Sequence, residues 1–253
     1  MDETKLIVQT ARELGRLTYA HCSGRDGLEI AVAAGIDSIE HGFFMDKDIL
    51  QQMADKGIAW VPTFCPVYFQ YERPELADWN ASTVEKLWAI LARHFEHIAL
   101  ACEMGVPVIA GSDAGSYGVP HGKSLIDEMF FQRRAGMPVD KVLASATSLP
   151  RQKWKCASAD IVAGNQADFI ALAGSPFENL NHLRHVQRVC RHEHIWVAND
   201  QKGEPPMLTP RERLRAALNH QEADRIPLDF GSTAVTGIHV SAVYATTTRG
   251  AQG

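Results

Sequence analysis

Two histidines and an aspartate stand where short β-favouring runs end: His21 after LTYA, His41 after DSIE and Asp113 after VIAGS. Imidazole nitrogens and carboxylate oxygens are the donors of open zinc sites, in which three protein ligands leave one position for water. Such a water loses a proton near neutrality and a neighbouring carboxylate can accept it. Asp113 is therefore a candidate acid–base residue as well as a candidate ligand. Each residue alone could equally be a hydrogen-bonded structural group. What favours a site is their shared position, because strand C-termini face the active site in parallel βα proteins.

Other reactive residues carry different patterns. His192 and His194 would point to one face of a strand, a metal-compatible arrangement, although the segment also reads as an edge strand with surface histidines. His94 and His97 read as a helix surface or packed interface, and Asp127 with Glu128 as a solvated helix face. Cys22 lacks a separate orienting His/Asn set and reads as a small buried residue. Neither a Walker loop nor GxGxxG occurs, so nucleotide binding has no motif to support it.

The elements that must position these residues alternate. Residues 3–14 place Leu6, Ile7, Thr10, Ala11 and Leu14 on one helical face before Gly15. Strand 17–21, helix 27–34 closed by Gly35, and strand 36–41 follow. Asp46 caps a helix ended by Gly57, and 58–64 is a third strand. Val84, Leu87, Trp88, Leu91, Phe95, Ile98 and Cys102 mark a long amphipathic helix. Gly105 stops it, and VPVIAGSD (106–113) is the fourth strand. Helices at about 122–135 and 138–147 complete an α/β part spanning 1–150, with parallel strands covered by helices. Residues 151–198 look like a small β appendage of two or three short strands. Residues 199–206 (NDQKGEPP) read as a linker. From Thr209 a capping box with Pro210 at the first helical position opens a new helix, and the end of the chain reads as frayed.

Composition agrees with a folded chain: of 253 residues, 45% are hydrophobic and 22% charged, which excludes a disordered or collagen-like polymer. The net charge of −5 is spread along the chain, so no nucleic-acid partner is expected. No apolar run reaches membrane-spanning length, and the acidic start is no secretory signal. Five widely separated cysteines without a CxxC pair suggest reduced thiols and a cytoplasmic location.

The stretch AHCSGRDGLEIAVAAGIDSIEHGFFMDKDILQQMADKGIAWVPT, followed by GVPVIAGSDAGSYGVPHG, resembles the metal-dependent amidohydrolase superfamily, in its imidazolonepropionase-like and prolidase-like dipeptidase branch. Residues 164–170, within AGNQADFIALAGSPFENLNHLRHVQRV, are similar to that family's C-terminal composite β domain. The resemblance covers about 1–198. It implies the C-terminal half, strands five to eight, of a (β/α)8 TIM-type barrel, with the β composite as an appendage. It implies metal-ligand roles for His21, His41 and Asp113, with Asp113 also the acid–base carboxylate. Tyr117 and His121 would lie in a substrate-facing loop. The implied reaction is hydrolysis of a small-molecule amide, lactam or dipeptide C–N bond by water activated on a divalent metal, zinc foremost. The family's opening H-x-H pair and its bridging Lys or carboxylate have no counterpart before His21. The metal site is thus expected to be incomplete and the isolated chain inactive. The alternative is a non-catalytic truncated or fused remnant acting as an interaction module. Open sheet edges in half a barrel would offer a template for homo-oligomer formation.

Residues 206–244 are similar to the opening of uroporphyrinogen-decarboxylase-like proteins, so 207–253 is expected to be an unrelated tail.

Overall fold

The computed structural model describes residues 2–158, 160–191 and 194–197, together with 212 and 215. The chain divides into two units, Met1–Ala198 and Asn199–Gly253. His192, the expected linker at 199–206 and, apart from 212 and 215, the second family resemblance lie outside the described residues.

Three parallel strands, β1 (Tyr19–Cys22), β2 (Ser38–His41) and β3 (Ala59–Val61), form a sheet in the order β1-β2-β3. Helices α1 (Asp2–Glu13), α2 (Arg25–Ala34) and α3 (Lys47–Lys56) precede or connect them. The stop signals act as expected: Gly35 and Gly57 adopt φ of 76° and 64°, and the Asp46 carboxylate accepts from the Ile49 amide at 2.9 Å.

The fourth expected strand is reduced. Trp60 forms an isolated parallel bridge with Val108, through Trp60 N to Pro107 O (2.9 Å) and Ile109 N to Trp60 O (2.8 Å). Pro107 has no N–H to donate, and the Ala110 amide turns to Ser145 O at 3.0 Å. Few ladder bonds remain for a regular strand. No closed barrel forms among the described residues.

Helix α4 (Phe64–Glu72) starts where the expected third strand, 58–64, was to end, in a stretch for which the sequence suggested no helix. The long helix α5 (Ala81–Met104) is capped by Asn80 and ended by Gly105. Helices α6 (Lys123–Arg134), α7 (Val139–Ser145) and α8 (Ser148–Lys153) complete this part. An antiparallel sheet β4-β5-β6 (Phe169–Leu172, Val186–Arg191, His194–Val197) closes it.

Strand alternation sends side chains to two faces. Ile39, Trp60 and Val108 face the helices and join the main core with Leu28, Ile49, Leu91 and Ile98. Burying each large apolar side chain stabilises the fold by roughly 1.5–3 kcal/mol. Ala59, Val61 and Ile109 form a smaller cluster on the other face, packed by Leu149 and Trp154. Helix α1 departs from its pattern: Leu6, Ile7 and Leu14 are exposed while Val8 is buried. All five cysteines are free, and no described helix is long and apolar enough to cross a membrane.

Candidate active site

The strand register brings polar residues to the face opposite the main core. Tyr19 and His21 on β1 lie beside Ser38 and Glu40 on β2. Glu40 accepts from the Ser38 hydroxyl at 2.7 Å. Burial raises the Glu40 pKa, and Asp113 adds to the rise, while Ser38 and His21 favour the charged form.

His41 ends β2 with φ of 68°, so it breaks the alternation of its strand. Its Nε2 lies 2.7 Å from His21 Nδ1, and its Nδ1 lies 2.6 Å from the Thr63 hydroxyl. The Trp60 indole donates to the His41 carbonyl at 2.9 Å, fixing the peptide from the core side. Gly42 must be glycine: φ is 64°, and a Cβ would sit 2.6 Å from Met45 Cε and 2.9 Å from Trp60 Nε1. Burial lowers the His41 pKa, the charge of His21 lowers it further, and Asp113 pulls it back up.

Thr63 (φ 51°) and Asp113 (φ 50°) share the left-handed conformation of His41. Each such non-glycine residue costs on the order of 1–3 kcal/mol, and strain of this kind concentrates at functional sites. Here it falls at successive strand ends. Asp113 is exposed, accepts from the Ser116 hydroxyl at 2.8 Å, and heads the turn that carries Tyr117 and His121. Tyr117 donates to Leu76 O at 2.7 Å, tying this turn to the short helix Pro74–Ala77. His121 lies over Gly115, where a Cβ would be 3.6 Å from its Nε2.

The structure therefore brings His21 and His41 into direct contact and sets Asp113 within electrostatic reach of His41. It does not gather the three as a ligand set. Among the described residues, no group of three His, Cys, Asp or Glu is placed to hold a metal ion. Asp113 Oδ2 is held by Ser116 in its own turn, and the imidazoles bond to each other instead of converging on a third donor. The two nitrogens are donors of the type zinc takes, but at 2.7 Å they stand in hydrogen-bond contact, closer than the roughly 3.3 Å between two ligands of one tetrahedral zinc.

Asp127 and Glu128 stand differently from their sequence pattern, whereas His94, in a packed interface, and Cys22, partly buried, keep theirs. His94 is fully buried: its Nε2 donates to Pro62 O at 2.9 Å and its ring packs among Phe43, Trp60 and Phe64. Glu128 is fully buried, and Asp127 pairs with Arg184 at 2.6 Å, so these carboxylates do not form a solvated face. The Cys22 thiol is pushed up by burial, which disfavours the nucleophilic thiolate. Glu40 and Thr63 went unnoticed as site residues. The polar alternation of Ser38 and Glu40 around Ile39 was the available signal for the first.

Residues 1–204 match the model of the Amidohydrolase family. The chain is 28% identical over 202 residues to ochratoxinase of Aspergillus niger, covering 77% of this chain and 40% of that protein. An uncharacterized protein of Mycobacterium tuberculosis is 32% identical over 188 residues, covering 74% and 50%. Among solved structures, a Xaa-Pro dipeptidase with methionine in its active site superposes with TM-score 0.68 at 29% identity, covering 78% of this chain and 48% of that one. Ochratoxinase of A. niger superposes with TM-score 0.66 at 25% identity, covering 81% and 48%. The chain spans half or less of the length of these curated relatives. The match runs from β1 through the β4–β6 sheet, and on that extent the chain belongs to the amidohydrolase family.

Proposed function

We propose that this chain carries the C-terminal half of a (β/α)8 barrel and part of the active site of a hydrolase acting on C–N bonds of small amides, lactams or dipeptides. The observation that carries this reading is the paired His21 and His41 at adjacent strand ends, with Asp113 acting on His41 from a third. His21, His41 and Asp113 are the residues assigned to a divalent metal, zinc foremost; bound there, it would supply an activated water. Asp113 is exposed, and its carboxylate, which accepts from Ser116 at Oδ2, would take up a proton and return it to a leaving nitrogen. Thr63 fixes the ring of His41. Tyr117 and His121 present a hydroxyl and an imidazole from the turn after Asp113, where substrate would approach.

A second reading rests on the absence of a three-donor group among the described residues. In it the isolated chain does not hydrolyse, and serves, if at all, as an interaction module. The outer edge of β1 pairs with no described strand, and Leu6 and Ile7 on α1, with Leu14 just after it, are exposed. Both features favour self-association, which light scattering would register as species larger than one chain.

Metal analysis after zinc loading, with a dipeptide and amide hydrolysis panel, separates these readings. The incomplete site predicts at most one zinc per chain, diminished in His41→Ala, and no turnover. Two tightly held metals with turnover would overturn the incompleteness. No metal after loading would remove the metal assignment and leave the second reading.

A further inference from the structure

Helix α4 begins at the site end of β3, and its capping is unusual. Thr63 occupies the N-cap position, and threonine there ordinarily gives its side-chain oxygen to the amides of the first turn. Here it makes no such bond: its hydroxyl lies 2.6 Å from His41 Nδ1. A first-turn amide finds another acceptor: the Cys65 amide donates to Glu128 Oε1 at 2.6 Å. Glu128 stands on α6, distant in sequence, and is fully buried between α6 and the start of α4.

We infer that Glu128 is a positioning residue for the site: by capping α4 from α6, it holds the helix start in the place from which the Thr63 hydroxyl meets the imidazole of His41. Thr63 is left-handed (φ 51°) instead of extended like an ordinary capping residue, so its hydroxyl serves the histidine and the helix start takes an acceptor from outside. The buried carboxyl on α6 is that acceptor. Without it, the Cys65 amide loses its partner and the start of α4, with Thr63 at its head, shifts. His41 then loses its anchor on Nδ1 and the ring populates both tautomers. The fixed ring is needed because its other nitrogen meets His21 Nδ1. The buried contact of Glu128 with Cys65 thus reaches the site through a single side chain.

This inference rests on His41 belonging to the site, but its test reads the imidazole and not turnover. Failure of the proposed hydrolysis would appear in metal content and substrate cleavage instead. The measurement is the ring-nitrogen spectrum of 15N-labelled full chain at one fixed pH above neutrality, with His41 assigned by His41→Gln. The wild type is expected to show one protonated and one bare nitrogen on His41. Glu128→Ala is expected to move both signals towards their average, and Glu128→Gln, which keeps the acceptor oxygen, to preserve the wild-type pattern. Glu128→Asp, one methylene short, should shift them in the same direction by less, and serves if Glu128→Ala does not fold. Val142→Ala, a buried truncation on α7, should leave His41 unchanged. Unchanged His41 signals in both Glu128→Ala and Glu128→Asp would overturn the inference. So would the same averaging in Val142→Ala, which would mark general loosening.

Discussion

His21 Nδ1 and His41 Nε2 stand 2.7 Å apart across β1 and β2, nitrogen to nitrogen, so one of them must carry the proton the other accepts. The charge of His21 is one of the influences that lower the pKa of His41. Replacing His21 with glutamine removes that repulsion while burial of His41 persists. The midpoint for His41 should rise. An NMR titration of the ring protons checks this, and an unchanged or lower midpoint would contradict the pairing.

Gly111, which opens the GSDAG phrase, has no room for a side chain, because a Cβ would press into Val61 Cγ1 on β3. Gly111→Ala should destabilise the fold by roughly 1–3 kcal/mol, the cost of overpacking a filled core. Adding Val61→Ala should recover part of that loss. Thermal unfolding of the two single variants and the double variant reads the coupling; additive effects would sink the steric account.

Two buried groups give stability opposite pH slopes. Burial lowers His94 from 6.5 to about 4, so the unfolded chain takes up its proton first and stability is lost as pH falls from 6.5 towards 4. Burial raises Glu128 from 4.5 to about 7, so its contribution is full below 4.5 and is lost as pH rises through 7. Each slope is at most about 1.4 kcal/mol per pH unit. Glu128→Gln should therefore steepen the loss of stability on acidification, whereas His94→Gln should flatten it. Denaturant titrations at pH 4.5 to 7 distinguish the two, and parallel curves for both variants would refute the assignment.

The hydroxyl of Tyr117 ties the turn after Asp113 to Leu76. Tyr117→Phe removes a bond worth roughly 0.5–1.5 kcal/mol, which should speed amide exchange in residues 114–120 by about two- to tenfold. Exchange elsewhere, including α5, should not change. Protection in that turn equal to wild type would show that the bond does not hold it.

Much of the scaffold was legible locally. Helix α3 lay between Asp46 and Gly57, and α5 ended at Gly105, because caps and left-handed stops are properties of single residues. His21, His41 and Asp113 could be placed at strand ends from the same local patterns. The fourth strand could not be read so well, since its ladder depends on which acceptor the Ala110 amide meets, and that acceptor is Ser145 on α7.

The buried polar residues were hidden for a related reason. Glu128 and His94 sit on helices whose patterns leave a charged or polar position free to face either way. Only the arrival of Cys65 over α6, and of Pro62 over α5, gives each side chain a partner that makes burial tolerable. By itself the sequence determined the family, the order of strands and the residues at their ends, because those follow from short-range pattern. The contact of His21 with His41, the diversion of Thr63 from its own helix and the capture of Glu128 were decided by tertiary structure, since each joins groups from separate elements whose approach no local preference encodes.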